Sequence, residues 1–204
     1  MRMSPLNRRA FLTGLGCTAA ASPLLTPVTF ANGTWDNRLV VIILRGGMDG
    51  LDALRPYGDR DFASLKGRAA QAQIGEGQDL DGFFALNRLA EVILSLQGNL
   101  GADVWGKTAV VAMTEFGRTA RLNGNGGSDH GTGGLMVLSG GALRGGRVWS
   151  DWPGLSESAL YERRDLMPTR DVRAFSGWLM RDLFGLEKGL IESTVFPGLE
   201  LGAD

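Results

Sequence analysis

Residues 109–134, AVVAMTEFGRTARLNGNGGSDHGTGG, join an apolar run to a polar, glycine-rich one. Ala109–Met113 has the length and residue types of a buried strand, and chemistry begins where it stops. In open parallel α/β sheets ligands lie beyond the carboxyl ends of the strands. Glu115, Arg118, Asp129 and His130, the only histidine of the chain, all fall on the loop that follows this strand. They are the first candidates for a site.

Upstream, Leu39–Leu44 (LVVIIL) is a second continuous, β-branched run, the pattern of a strand buried on both faces. It ends in Arg45-Gly46-Gly47-Met48-Asp49-Gly50-Leu51-Asp52. Between the two runs, Leu86, Leu89, Ala90, Ile93, Leu96 and Leu100 recur near helical spacing, which predicts an amphipathic helix over 85–100 packed on the sheet. Downstream, Leu135–Leu138 is apolar and closed by Ser139-Gly140-Gly141. Strand, helix and strand in that order predict an α/β fold, a mainly parallel sheet flanked by helices. A last helix is expected over 171–184, with Val172, Phe175, Leu179 and Leu183 on one face, Thr169 or Asp171 as N-cap and Gly185 as stop. The polar stretch 66–81, KGRAAQAQIGEGQDLD, reads as a loop or hairpin outside the core.

Asn7-Arg8-Arg9-Ala10-Phe11-Leu12, the uncharged segment Thr13–Phe30 and the small Ala31 read as a twin-arginine export signal over 1–31. Cleavage after Ala31 leaves 32–204, material for a single domain without cysteine, because Cys17 lies in the signal. The expected localisation is periplasmic or otherwise exported, with the twin-arginine translocase as a transient partner. A net charge of -1 with scattered Arg and Asp offers no basic face for nucleic acid, and no basic amphipathic helix suggests a stable membrane anchor. Glycine, at 31 residues, is about twice its usual share, pointing to tight turns and backbone-lined loops.

Each candidate residue carries two readings. Asp49, after two glycines at a strand end, can ligate a divalent metal or make the Asx-type turn that Asp-Gly favours. Glu115 holds the equivalent place after the second strand, and either converges with Asp49 on one cavity or caps the following turn. Asp129-His130 offers an imidazole with an adjacent carboxylate to ligate or orient it, although a lone histidine also serves structure. Arg118 and Arg121 can clamp a phosphate or sulfate in a bidentate way, or form surface ion pairs. The glycines at 124, 126 and 127 match no phosphate-loop fingerprint, and although Ser128 and Thr132 stand beside His130, no GxSxG elbow supports a hydroxyl nucleophile there.

Taken in order, VVIILRGGMDGLDALRPYGD, LDGFFALN, VVAMTEFGRTARLNGNGGSDHGTGG, LSGGALRGGRV, DWPGL, RRDLMPTRDVRA and VFPG behind a twin-arginine leader resemble the exported bacterial family DUF1501, grouped with the alkaline phosphatase and sulfatase superfamily. The resemblance implies a reduced alkaline-phosphatase/sulfatase-like fold and a divalent metal, zinc, calcium or similar. It also implies Asp49, Glu115 and His130 as metal residues, with Phe116 standing where a second histidine is expected, and with Asp129 beside His130 these make up the expected metal site. Arg118 would lie near the anion of a phosphate, sulfate or sugar ester. Family members are about twice as long, and their middle region, with a Gly-Gly-Trp-Asp-Thr-His motif, is missing here near 87–88. No convincing serine or threonine nucleophile stands at a helix start after Asp49: Ser64 is the nearest candidate, and nothing beside it would activate it.

Two functions follow as expectations. One is an exported metal-dependent hydrolase of phosphate or sulfate esters, its substrate unspecified. The other is a non-catalytic envelope protein, a shortened relative that binds a partner or carbohydrate. Loss of central strands would expose apolar edges, so a homo-oligomer is a further expectation.

Overall fold

The computed structural model describes residues 36–70 and 80–202. The expected export signal, and positions 71–79 of the polar stretch, lie outside the described residues. Five strands are present: β1 (Arg38–Leu44), β2 (Thr108–Thr114), β3 (Gly117–Arg118), β4 (His130–Gly131) and β5 (Val137–Ser139). The helices are α1 (Gly50–Ala53), α2 (Phe62–Lys66), α3 (Leu80–Trp105), α4 (Val172–Phe184) and α5 (Lys188–Leu190). A short 3₁₀ turn (Gly67–Ala70) follows α2 and a π turn (Ile191–Val195) follows α5.

β1 pairs with β2 in parallel along its whole length, from Arg38 opposite Thr108 to Leu44 opposite Thr114. β5 then pairs antiparallel to β2, Val111 opposite Leu138, giving the order β1-β2-β5. The α/β class therefore stands, but the sheet is small and mixed, not mainly parallel. A parallel return needs a crossover long enough to carry the chain back to the starting end. After β2 the described chain holds no helix before β5, so it re-enters from the opposite direction.

Position in the sheet explains the burial. Central β2 has Ala109, Val110, Val111 and Ala112 within 1% of complete burial. β1, read from its sequence as covered on both faces, has only Val40 buried, because it is an edge strand with β2 as its one hydrogen-bonded neighbour among the described residues. Its Leu39 and Val41, with Val111 and Met113 of β2, face Val172, Leu179 and Met180 of α4 across an apolar void of about 260 Å³.

α3 departs furthest from its expected role. Of the face meant for the sheet only Leu89 is buried, while Val92 and Leu94 lie 47% and 64% exposed. The helix is also interrupted at Gly101, whose φ of 74° and ψ of 166° belong to a region that glycine alone enters without strain. Beyond that break, Thr108 Oγ1 donates to Val104 O at 2.7 Å and ties the helix end to the start of β2.

Two apolar clusters hold the rest. One joins Leu51, Phe62, Leu65 and Ala70 to Ala120, Leu155 and Leu160, fastening the segment after β1 to the loops after β3. The other places Ala174 of α4 against Ile191, Leu199 and Leu201, where Trp178 Nε1 donates to Leu201 O at 3.0 Å. α4 starts and stops where the sequence places its caps. The Asp171 carboxylate accepts from Arg173 N at 2.8 Å, and Gly185 closes the helix in the left-handed region.

The Arg173 side chain, then its backbone N–H, hold the Asp171 carboxyl below its ordinary range. A depressed carboxylate pKa adds stability that is present above the unfolded value and lost as pH falls through the folded one. Asp171→Ala is expected to cost about 1 kcal/mol near neutral pH. In urea melts the gap from the parent should close as pH drops below the ordinary carboxylate range.

Candidate functional site

The parallel register brings the loops that leave β1 and β2 side by side. Thr114, the last residue of β2, joins them: its Oγ1 donates to Leu44 O at 2.9 Å and accepts from Met48 N at 3.0 Å. One residue on, Glu115 Oε1 accepts from Gly46 N at 2.9 Å. That backbone hydrogen bond is the main reason the exposed Glu115 carboxyl sits below its ordinary range.

Arg118 completes the junction. Its Nε donates to Gly47 O at 3.0 Å, one terminal nitrogen to Gly46 O at 2.5 Å and the other to Ser128 O at 3.1 Å. The guanidinium, expected to meet a substrate anion, thus ties the β1 loop to the loop ahead of β4. Within the β3–β4 ribbon Arg118 pairs with His130, and Gly117 with Gly131. The His130 ring lies on Phe116, centroids 4.3 Å apart and planes tilted by 42°. Phe116, standing where the resemblance implies a second histidine, thereby touches the histidine that the chain does possess.

Asp129 is turned to its own loop, where its Oδ1 accepts from Asn123 Nδ2 at 2.9 Å. Thr132 Oγ1 donates to Leu166 O and Ser64 Oγ to Asp61 O, so both hydroxyls are engaged with backbone. The arrangement gathers Glu115, Phe116, Arg118 and His130 around the β1 loop, with Asp49 at that loop's far end.

Asp49 has acquired a partner that its sequence context did not announce. Its Oδ1 accepts from Leu51 N and Asp52 N, the capping geometry of the turn reading, and its Oδ2 lies 2.6 Å from Lys66 Nζ. Lys66 also stands 3.3 Å from Asp52 Oδ1 and is fully buried. The reading of 66–81 as lying wholly outside the core is corrected at this position. A polar residue is admitted to the interior when its charge is compensated there, which a hydropathy pattern does not reveal. One signal was present: Phe62 and Lys66 are one helical turn apart, so the lysine follows the buried face of α2. Burial, and next the Asp49 charge, push the Asp52 carboxyl up.

Both Asp49 oxygens are occupied by protein donors, and the described residues contain no group of three His, Cys, Asp or Glu side chains placed to hold a metal. A separate shallow cavity of about 310 Å³ is lined by Asp59, Arg60, Asp61 and Gly154–Ser156, and contains none of the candidate residues.

The clamp at Arg118 generates two predictions. Arg118→Ala should cost about 2–3 kcal/mol, from charge-assisted hydrogen bonds to three carbonyls, and Arg118→Lys should recover little, because one ammonium lacks the planar fork. At Gly117 an added Cβ would lie 1.7 Å from Gly133 O, so Gly117→Ala should cost about 1–3 kcal/mol of overpacking. Chemical denaturation of each variant measures both.

No curated protein and no solved structure matches the chain. The model of a family described as a protein of unknown function, DUF1501, matches residues 85–176, a span that holds Glu115, Arg118, Asp129 and His130 but neither Asp49 nor Lys66.

Proposed function

We propose that this chain is an exported, non-catalytic binding protein, a shortened relative of phosphate- or sulfate-ester hydrolases whose strand-end residues now serve structure. The carrying observation is the use of Arg118: three of its nitrogens are donated to the carbonyls of Gly46, Gly47 and Ser128. An arginine engaged in this way positions loops, with three of its five N–H groups already used on backbone. Glu115 is likewise turned onto the Gly46 N–H. Val92 and Leu94 lie exposed on α3, apolar surface of the kind that a binding partner covers.

A second reading has its own support. Glu115, Arg118, Asp129 and His130 stand at or near the carboxyl ends of two parallel strands, the usual place for ligands in such sheets. On this reading the chain is a metal-dependent ester hydrolase with Asp49, Glu115, Asp129 and His130 as its metal residues.

Aryl phosphate and aryl sulfate assays on the purified protein, with zinc, calcium, magnesium or manganese, separate the two. The binding reading predicts rates equal to buffer with every ion and no change on His130→Ala. Turnover that is lost in His130→Ala would establish the hydrolase.

A further inference from the structure

Around Asp49 the protein supplies its own cation. Lys66 Nζ is completely buried, 2.6 Å from Asp49 Oδ2 and 3.3 Å from Asp52 Oδ1, with the two carboxylates 13% and 29% exposed. Asp52 Oδ1 is itself buried and accepts no hydrogen bond, so the nearby ammonium charge is what faces it. Two carboxylates around one buried positive centre is an arrangement that hard divalent cations also adopt, through oxygens at about 2.0–2.6 Å. Here the positive centre is covalently tethered. Lys66 ends α2, whose Phe62 and Leu65 lie in the apolar cluster with Leu51, and Leu51 is in α1, the turn that Asp49 caps. Carboxylates and ammonium are thus carried by two short helices packed on each other.

We infer that the Lys66 ammonium is the resident cation of the Asp49–Asp52 carboxylate pair, closing it to divalent metals, and that removal of this ammonium opens a divalent-cation site there. This goes beyond the binding reading above and does not require it: a chain that hydrolyses esters through other groups would refute that reading and leave the Lys66 assignment intact.

The test uses the full chain as parent, Asp49→Asn, Lys66→Met, and Lys66→Met/Asp49→Asn. Methionine keeps most of the stem length and removes the charge. Thermal midpoints are recorded in chelator and with millimolar Mg²⁺, Ca²⁺, Mn²⁺ or Zn²⁺, because an ion bound only by the folded state raises the midpoint. The expected result is that no ion shifts the parent midpoint more than it shifts that of Asp49→Asn. Lys66→Met should melt lower in chelator and recover by several degrees with at least one ion, a recovery absent from the double variant. If Lys66→Met does not fold in chelator, refolding yield with and without Mn²⁺ or Ca²⁺ replaces the melt. An ion-dependent yield supports the inference, and equal failure in both overturns it. It is also overturned if the parent holds one equivalent of metal that Asp49→Asn loses, or if a folded Lys66→Met ignores every ion.

Discussion

The parallel pairing of β1 with β2 is the constraint from which the rest of the molecule follows. Seven residues in register place the ends of both strands at one level, so the chain leaves them as two adjacent loops. Adjacent loops carry backbone groups that no ladder satisfies, and those groups must find partners if the region is to be closed to water. Thr114, Glu115 and Arg118 supply them, and each reaches back to the Leu44–Met48 segment. Much of the polar character immediately beyond β2, from Thr114 to Arg118, thus meets the hydrogen-bonding needs of a junction between two strand ends.

The buried ammonium obeys a different economy of charge. Removing an ion from water carries a penalty of several kcal/mol, offset only by good geometry with its counter-ions. Lys66 meets two carboxylates, and one of them, Asp49, is additionally fixed by two backbone N–H groups at the start of α1. The turn role and the charge-pairing role of Asp49 are therefore not alternatives, since capping holds the carboxylate still and a fixed carboxylate makes a stable partner for a buried cation. Losing either partner would leave a charge stranded in the cluster formed by Leu51, Phe62 and Leu65.

What could be read from the sequence was whatever depended on local pattern. β2 showed itself as an apolar run, and α4 through Asp171 and Gly185, because a cap is a property of a few adjacent residues. Asp49 was legible as a turn residue for the same reason. The direction of β5 was not, because strand polarity depends on what connects the strands, and 115–136 holds strands and turns instead of a helix. The exposure of α3 was also hidden, since periodicity reveals that a helix has an apolar face but not whether anything covers it. The Arg118 clamp escaped for want of distance information: its acceptors are carbonyls of Gly46, Gly47 and Ser128, and a carbonyl leaves no mark in a residue code. Lys66 sits between these cases, its placement visible from helical spacing with Phe62 but its partners not.

The spacing of the sheet along the chain sets the cost of closing each strand pair. Leu44 and Thr114 meet across 70 residues of intervening chain, whereas Val111 and Leu138 close a much shorter loop. Each doubling of a flexible loop adds about 0.6 kcal/mol of closure entropy, and folding rates fall as contacts become less local. On closure entropy alone the β2–β5 pair is therefore the less costly to join, and the β1–β2 pair the more costly. Asp49 and Lys66 lie only 17 residues apart, so the buried ion pair is local in sequence, whereas the Arg118 clamp, reaching back 71 residues to Gly47, depends on the long closure that joins β1 to β2.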